Sequence, residues 1–147
     1  MQEILSAFGF NAPVLKTERL SGGHMHETLH LHTASGDYLA QKLHPAAFPD
    51  PAALMRKLVS VTAYLRSRFP DCVTLHFYAA NGTYLYNGWR VADWIPGVTA
   101  DSRNLQSVCA AGRAFGKFQA MLCGFSAPAE RPFHDPERRF AALCAAA

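Results

Sequence analysis

Gly22-Gly23, flanked by Ser21 and His24, places two residues without side chains in a polar turn. Such a turn lets backbone N–H groups close on an anion, because no Cβ stands in the way. It joins two segments of strand character, so it is neither a P-loop nor a dinucleotide fingerprint, both of which need a helix N-terminus. By composition alone the glycines mark an ordinary hairpin before they mark a phosphate contact. Gln41 and Lys42 put an amide and an ammonium side by side on a later strand, and alternation sends them to opposite faces. The Lys42 ammonium suits phosphate oxygens. His24, His26, His30 and His32 form H-x-H pairs, a same-face spacing that suits a metal ion. No cysteine or second carboxylate is seen to join them, so they read as ordinary strand and loop histidines and no metal site is assigned. Trp89 and Trp94 suit stacking on a base or packing in a core. His134-Asp135 reads as a capped turn ahead of a last helix, and Arg138-Arg139 as a solvated helix face.

The elements that must position these residues follow from periodicity and turn chemistry. Gln2 to Phe8 reads as a short amphipathic helix. Val14–Leu20, Met25–Thr33 and Tyr38–Leu43 read as strands joined by the glycine turn and by a Ser35-Gly36-Asp37 hairpin. Asp50-Pro51 opens a helix to about Arg68, with Leu54, Leu58, Val61 and Leu65 on one stripe. Val73–Tyr78 and Trp89–Ile95 read as fourth and fifth strands, with type I′ turns at Asn81-Gly82 and Asn87-Gly88. A long helix spans Ser102 to about Leu122, capped by Asp101 or Ser102, its inward face built of Leu105, Val108, Gly112, Phe115 and Phe118. The expected fold is α+β: a five-stranded antiparallel sheet covered by one helix over residues 1–97, then the first helices of a second lobe over 98–147. The C-terminal run Phe140 to Ala147 stops in mid-helix without a cap, which reads as the front part of a longer protein.

The 147 residues suit one domain of common size, and a hydrophobic content of 50% excludes a disordered chain. A net charge of +3 with scattered basic residues argues against nucleic acid or a lipid surface as partner. No apolar stretch approaches membrane-spanning length and no signal peptide is visible, so the expected location is cytoplasmic. The four cysteines, Cys72, Cys109, Cys123 and Cys144, form no C-x-x-C pair and read as reduced buried thiols.

The order of elements resembles the N-terminal lobe of the protein-kinase-like phosphotransferases. Gly23-His24-Met25-His26-Glu27-Thr28 is similar to the Gly-His-Ile-Asn-Asp-Thr loop of the aminoglycoside phosphotransferase/choline kinase superfamily, in particular its N-acetylhexosamine 1-kinase branch. Tyr38-Leu39-Ala40-Gln41-Lys42-Leu43-His44 resembles that branch's Tyr-Ile-Leu-Gln-Arg-Ile-Asn strand. Phe48-Pro49-Asp50-Pro51, Trp89-Arg90, Trp94-Ile95-Pro96-Gly97, Phe115-Gly116-Lys117-Phe118 and Phe133-His134-Asp135-Pro136 follow in the same order. The resemblance implies that Ser21, Gly22, Gly23 and His24 close over ATP phosphates. It implies that the backbone near Asp93, Trp94 and Ile95 holds the adenine, and that Gln41 or Lys42 takes the phosphate-facing strand position. Alignment puts Gln41 inward, while Lys42 has the better chemistry.

The sequence also departs from that pattern. No acidic residue lies between Asp50 and Asp71, where kinases carry the partner of the strand lysine. None of the seven histidines has Asp two residues on, and no Asp-Phe-Gly-like triplet is present. No catalytic residue is therefore assigned, and the Mg²⁺ ligands are expected in a lobe this chain lacks. The expected function is the ATP-binding lobe of a small-molecule kinase with a sugar acceptor. Other acceptors (choline, homoserine, an aminoglycoside) and a non-catalytic interaction module are the alternatives. Self-association is expected through an apolar face around Phe115, Phe118 and Leu143.

Overall fold

The computed structural model describes residues 1–21, 26–126 and 136–146. Helix α1, Gln2–Ala7, is ended by Phe8 and by Gly9 at φ +84°, a conformation that favours glycine. The Gln2 side chain ties it to the strand that follows, accepting from the Val14 amide at 2.9 Å and donating to the Ala12 carbonyl at 3.2 Å. Strands β1 (Val14–Arg19), β2 (His26–Thr33), β3 (Gly36–Leu43) and β4 (Trp89–Asp93) form one antiparallel sheet in the order β1-β2-β3-β4. Helix α2, Pro51–Arg68, starts as its residues dictate: the Asp50 carboxylate accepts from the Ala53 amide at 2.8 Å and Pro51 fills the first turn.

The sheet is covered on both sides. Leu29, Leu31, Ala40, Trp89 and Val91 bury one face against Leu5 and Phe8 of the α1 region. On the other face, Met55 of α2 meets Phe77 and Ala92, with Leu58 and Val59 beside them. The α2 face thus centres on Met55, Thr62 and Leu65, and of the expected stripe Leu65 is buried.

The sheet has four strands, not five. Residues 73–78 touch β4 through one bridge, Phe77 to Ala92, made by the Tyr78 amide on the Val91 carbonyl at 3.0 Å and the Asp93 amide on the His76 carbonyl at 3.1 Å. Continuing that register would oppose Leu75 to Trp94 and Val73 to Pro96. These would be non-bonded pairs; the next ladder bonds would join Thr74 and Ile95, and none forms there, while Arg66 Nη1 holds the segment by the Leu75 carbonyl at 2.9 Å. The ladder stops, and Val73 is left largely exposed. Both expected type I′ turns form: Asn81 and Gly82 sit at φ 51° and 78°, Asn87 and Gly88 at 49° and 78°.

Helix α3, Leu105–Met121, is capped by Asn104, whose Oδ1 accepts from the Gln106 and Ser107 amides, and not by Asp101 or Ser102. Its apolar stripe is not inward. No α3 residue is buried; Leu105, Val108, Phe115 and Phe118 are exposed. Periodicity reports that a face is apolar and not what covers it, and nothing among the described residues covers this one. Phe125, beyond the helix, does meet Tyr64 of α2. Helix α4 spans Pro136–Ala146. All four cysteines are free, but Cys109, Cys123 and Cys144 are exposed where buried thiols were expected. No described helix is long and apolar enough to cross a membrane.

Candidate functional site

Strand register sorts the candidate residues onto faces. Glu18 pairs with His30, His30 with Leu39 and Leu39 with Ala92, so these four share the α2 face. Two residues either way along the strands, Thr28, Gln41 and Arg90 form one row and His32 and Asp37 another. Lys42 points to the opposite face, where its ammonium lies 5.9 Å from the Trp89 ring. Gln41 and Lys42 thus lie on opposite faces, as alternation requires, with Gln41 on the α2 face.

The Thr28–Gln41–Arg90 row is hydrogen-bonded across three strands. Gln41 Nε2 donates to Thr28 Oγ1 at 3.2 Å, while its Oε1 accepts from Arg90 Nε at 3.1 Å and Nη2 at 2.9 Å. Arg90 is 9% exposed. Its remaining contacts are soft: Nη1 on the Met55 sulfur at 3.8 Å and the guanidinium 5.6 Å from the Phe77 ring. No carboxylate among the described residues forms an ion pair with it, and burial pulls its pKa down. The buried cation of this face thus comes from β4, while Lys42 of β3 lies on the other face. Sequence reasoning quoted Trp89-Arg90 but gave Arg90 no role; its opposition to Gln41 is the signal that only strand register reveals.

The opposite end of this face holds a second polar group. His30 Nε2 and His32 Nδ1 lie 2.8 and 3.2 Å from the same oxygen, Asp37 Oδ2. Glu18 faces both rings from β1 and also pairs with Lys16, which lowers its pKa. The Trp94 indole stacks on His30, centroids 3.6 Å apart and planes within 8°. The expectation that no second carboxylate joins these histidines is corrected: two do, from β1 and β3, and neither is adjacent in sequence.

Around the connector after β4, the Asp93 and Trp94 amides are taken by the His76 and Asp37 carbonyls, leaving the Ile95 amide without a recorded partner among the described residues. The Asp93 carboxylate accepts from the Tyr78 hydroxyl, which burial and that bond push well above the ordinary tyrosine range. Ser21 is exposed; Gly22, Gly23 and His24, like His134-Asp135, lie outside the described residues.

His26, at the turn end of β2, stacks on Phe48, and its Nδ1 is buried with no hydrogen-bond partner. Burial first, and the Arg90 charge second, hold its pKa below the ordinary value. The unfolded chain therefore binds a proton at higher pH than the folded one does. The stability this gives is present above the ordinary histidine pKa of about 6.5 and is lost as pH falls through the lower folded value. The urea midpoint should drop between about pH 7 and pH 5, and His26→Asn should flatten the slope; an unchanged slope in that variant would contradict the assignment.

A family model describing the phosphotransferase enzyme family matches residues 16–146, from within β1 to the end of α4. No curated protein matches the chain.

Proposed function

This chain belongs to the phosphotransferase enzyme family, and from that premise we propose that the α2 face of its sheet binds the phosphates of ATP along the Thr28–Gln41–Arg90 row. The observation that carries the reading is Arg90: a buried guanidinium, fixed by an amide oxygen and facing no described carboxylate, is a charge that suits an anionic partner. Leu39, next along this face and half-buried, offers an apolar surface for a purine. The Ile95 amide, unpaired among the described residues, suits one of its ring nitrogens. Ser21 to His24, joining β1 to β2 at the end nearest this row, would close over the phosphates. In this reading residues 1–97 are the nucleotide-binding lobe and 98–147 open the next one.

The family generally uses ATP with Mg²⁺. The two carboxylates of the face, Glu18 and Asp37, are engaged with Lys16 and the histidines at the far end. The described residues of the nucleotide row therefore offer Mg²⁺ no ligand, and no step is assigned to it on this chain. The likeness of the strand 38–44 and of the turn after it to the N-acetylhexosamine 1-kinase branch supports a sugar hydroxyl as the acceptor. The missing His-x-Asp motif means that transfer itself needs residues this sequence does not contain.

Calorimetric titration with ATP, with and without Mg²⁺, tests the reading. Saturable heat is expected, with affinity at least tenfold lower for Arg90→Met, while Lys42→Met, on the other face, should leave binding unchanged. Absence of saturable heat, or loss with Lys42→Met but not with Arg90→Met, would overturn it.

A further inference from the structure

We propose that Glu18, His30 and His32 form a binding site for a divalent transition-metal ion of the zinc class, at the opposite end of the face from the Thr28–Gln41–Arg90 row. One donor atom from each of the three residues lies within 4.8 Å of the others. The nitrogens that face Glu18 are His30 Nδ1, 4.0 Å from Oε2, and His32 Nε2, 3.8 Å from Oε1. Ligands about 2.0–2.2 Å from a tetrahedral ion stand roughly 3.3–3.5 Å apart, so closure draws donor atoms now within 4.8 Å of one another together by up to about 1.5 Å, a side-chain adjustment.

Asp37 decides which His30 nitrogen is free. Its Oδ2 is hydrogen-bonded to His30 Nε2 at 2.8 Å, and donation from that nitrogen leaves the lone pair on His30 Nδ1, turned to Glu18; the same oxygen lies 3.2 Å from His32 Nδ1, on the side of that ring away from Glu18. A carboxylate behind an imidazole, as Asp37 is behind His30, is the arrangement that fixes metal-ligating histidines. His32 Nε2 is buried and has no hydrogen-bond partner, a state that costs free energy and that an ion would relieve. His30 is held flat against Trp94, so one wall of the site is already built.

Two imidazoles and one carboxylate suit Zn²⁺, Co²⁺ or Ni²⁺ and not Mg²⁺ or Ca²⁺, which take oxygen. The opposing group is the Lys16 ammonium on the Glu18 carboxylate; the ion must displace it, so Lys16→Met should tighten binding. Trp94, stacked on a ligand, is the built-in reporter.

The test is Zn²⁺ and Co²⁺ titration of the full chain, stripped with a chelator and carrying Cys→Ser at 72, 109, 123 and 144 so that free thiols do not bind the ion. One equivalent per chain is expected, with a change in tryptophan fluorescence. Glu18→Gln and His32→Gln should each lower affinity at least tenfold, and Asp37→Asn 10- to 100-fold through orientation. Circular dichroism of each variant shows that the sheet persists. Binding that is absent in the cysteine-free chain, or equal in that chain and its His32→Gln variant, would overturn the site. Neither result depends on whether ATP binds.

Discussion

Gln41→Leu is expected to destabilise the chain by about 3 kcal/mol, more than Arg90→Met does, and the double substitution is expected to recover part of that loss. The asymmetry follows from which group is left behind. Gln41 Oε1 is the acceptor for two Arg90 N–H groups, at 3.1 and 2.9 Å. Hydrogen bonds to a charged donor are worth about 1.5–3 kcal/mol. Removing the acceptor leaves a buried cation whose other contacts are a sulfur and an aromatic face. Removing the cation instead leaves an amide that still reaches Thr28, and Met fills much of the guanidinium's volume beside Met55 and Phe77. The pair should therefore show a coupling energy of about 1–3 kcal/mol in a double-mutant cycle, read from urea unfolding of the four proteins. Additive losses, or a larger loss from Arg90→Met than from Gln41→Leu, would show that Arg90 is not held by Gln41. The same cycle bears on the proposed nucleotide site: ATP should raise the unfolding midpoint of wild type and not of either variant lacking Arg90.

Much of the β1–β3 meander was legible because its signals are local. The alternation Leu29, Leu31 against His30, His32, and the turn at Ser35-Gly36, fix strand ends and register without help from elsewhere. The Asp50-Pro51 start and both Asn-Gly turns are likewise single-residue chemistry. What failed depended on partners distant in sequence. The segment 73–78 has strand composition, but it meets β4 at one bridge, and no bond joins Thr74 to Ile95 to extend it. The α3 stripe has helical period, yet no described residue buries it. For the candidate site, the histidine pairs and Gln41 were visible as residue types. Their company was not: Glu18 reaches His30 across β1–β2 and Arg90 reaches Gln41 across β3–β4. The buried cation escaped because a lone arginine in a strand has no sequence signature that separates it from a solvated one.

The remaining large effect lies outside the matched family span. Leu5→Ala is expected to cost about 3–4 kcal/mol, although Leu5 precedes residue 16, where the family match begins. Leu5 is fully buried, in one cluster with Phe8, Leu31, Trp89 and Val91. Helix α1 has six residues, far too few to persist alone in water, so it exists because Leu5 and Phe8 reach that cluster. Truncating Leu5 removes apolar contact and leaves a void whose sheet side is fixed by ladder bonds and cannot collapse. The one relaxation open to it is for α1 to lift, which exposes Leu31 and Val91, both 0% exposed in the intact chain. Either route gives a large loss; lifting would also raise the binding of an apolar dye. Leu105→Ala, on the uncovered α3 stripe, should change stability by no more than about 0.5 kcal/mol. Equal midpoints for the two variants would mean that α1 rides on the sheet without holding it. The proposed nucleotide row lies on the other face, so on that proposal a Leu5→Ala chain that remains folded at low temperature should bind ATP as wild type does. A parallel loss of affinity would mean that the two faces of the sheet are not energetically separate.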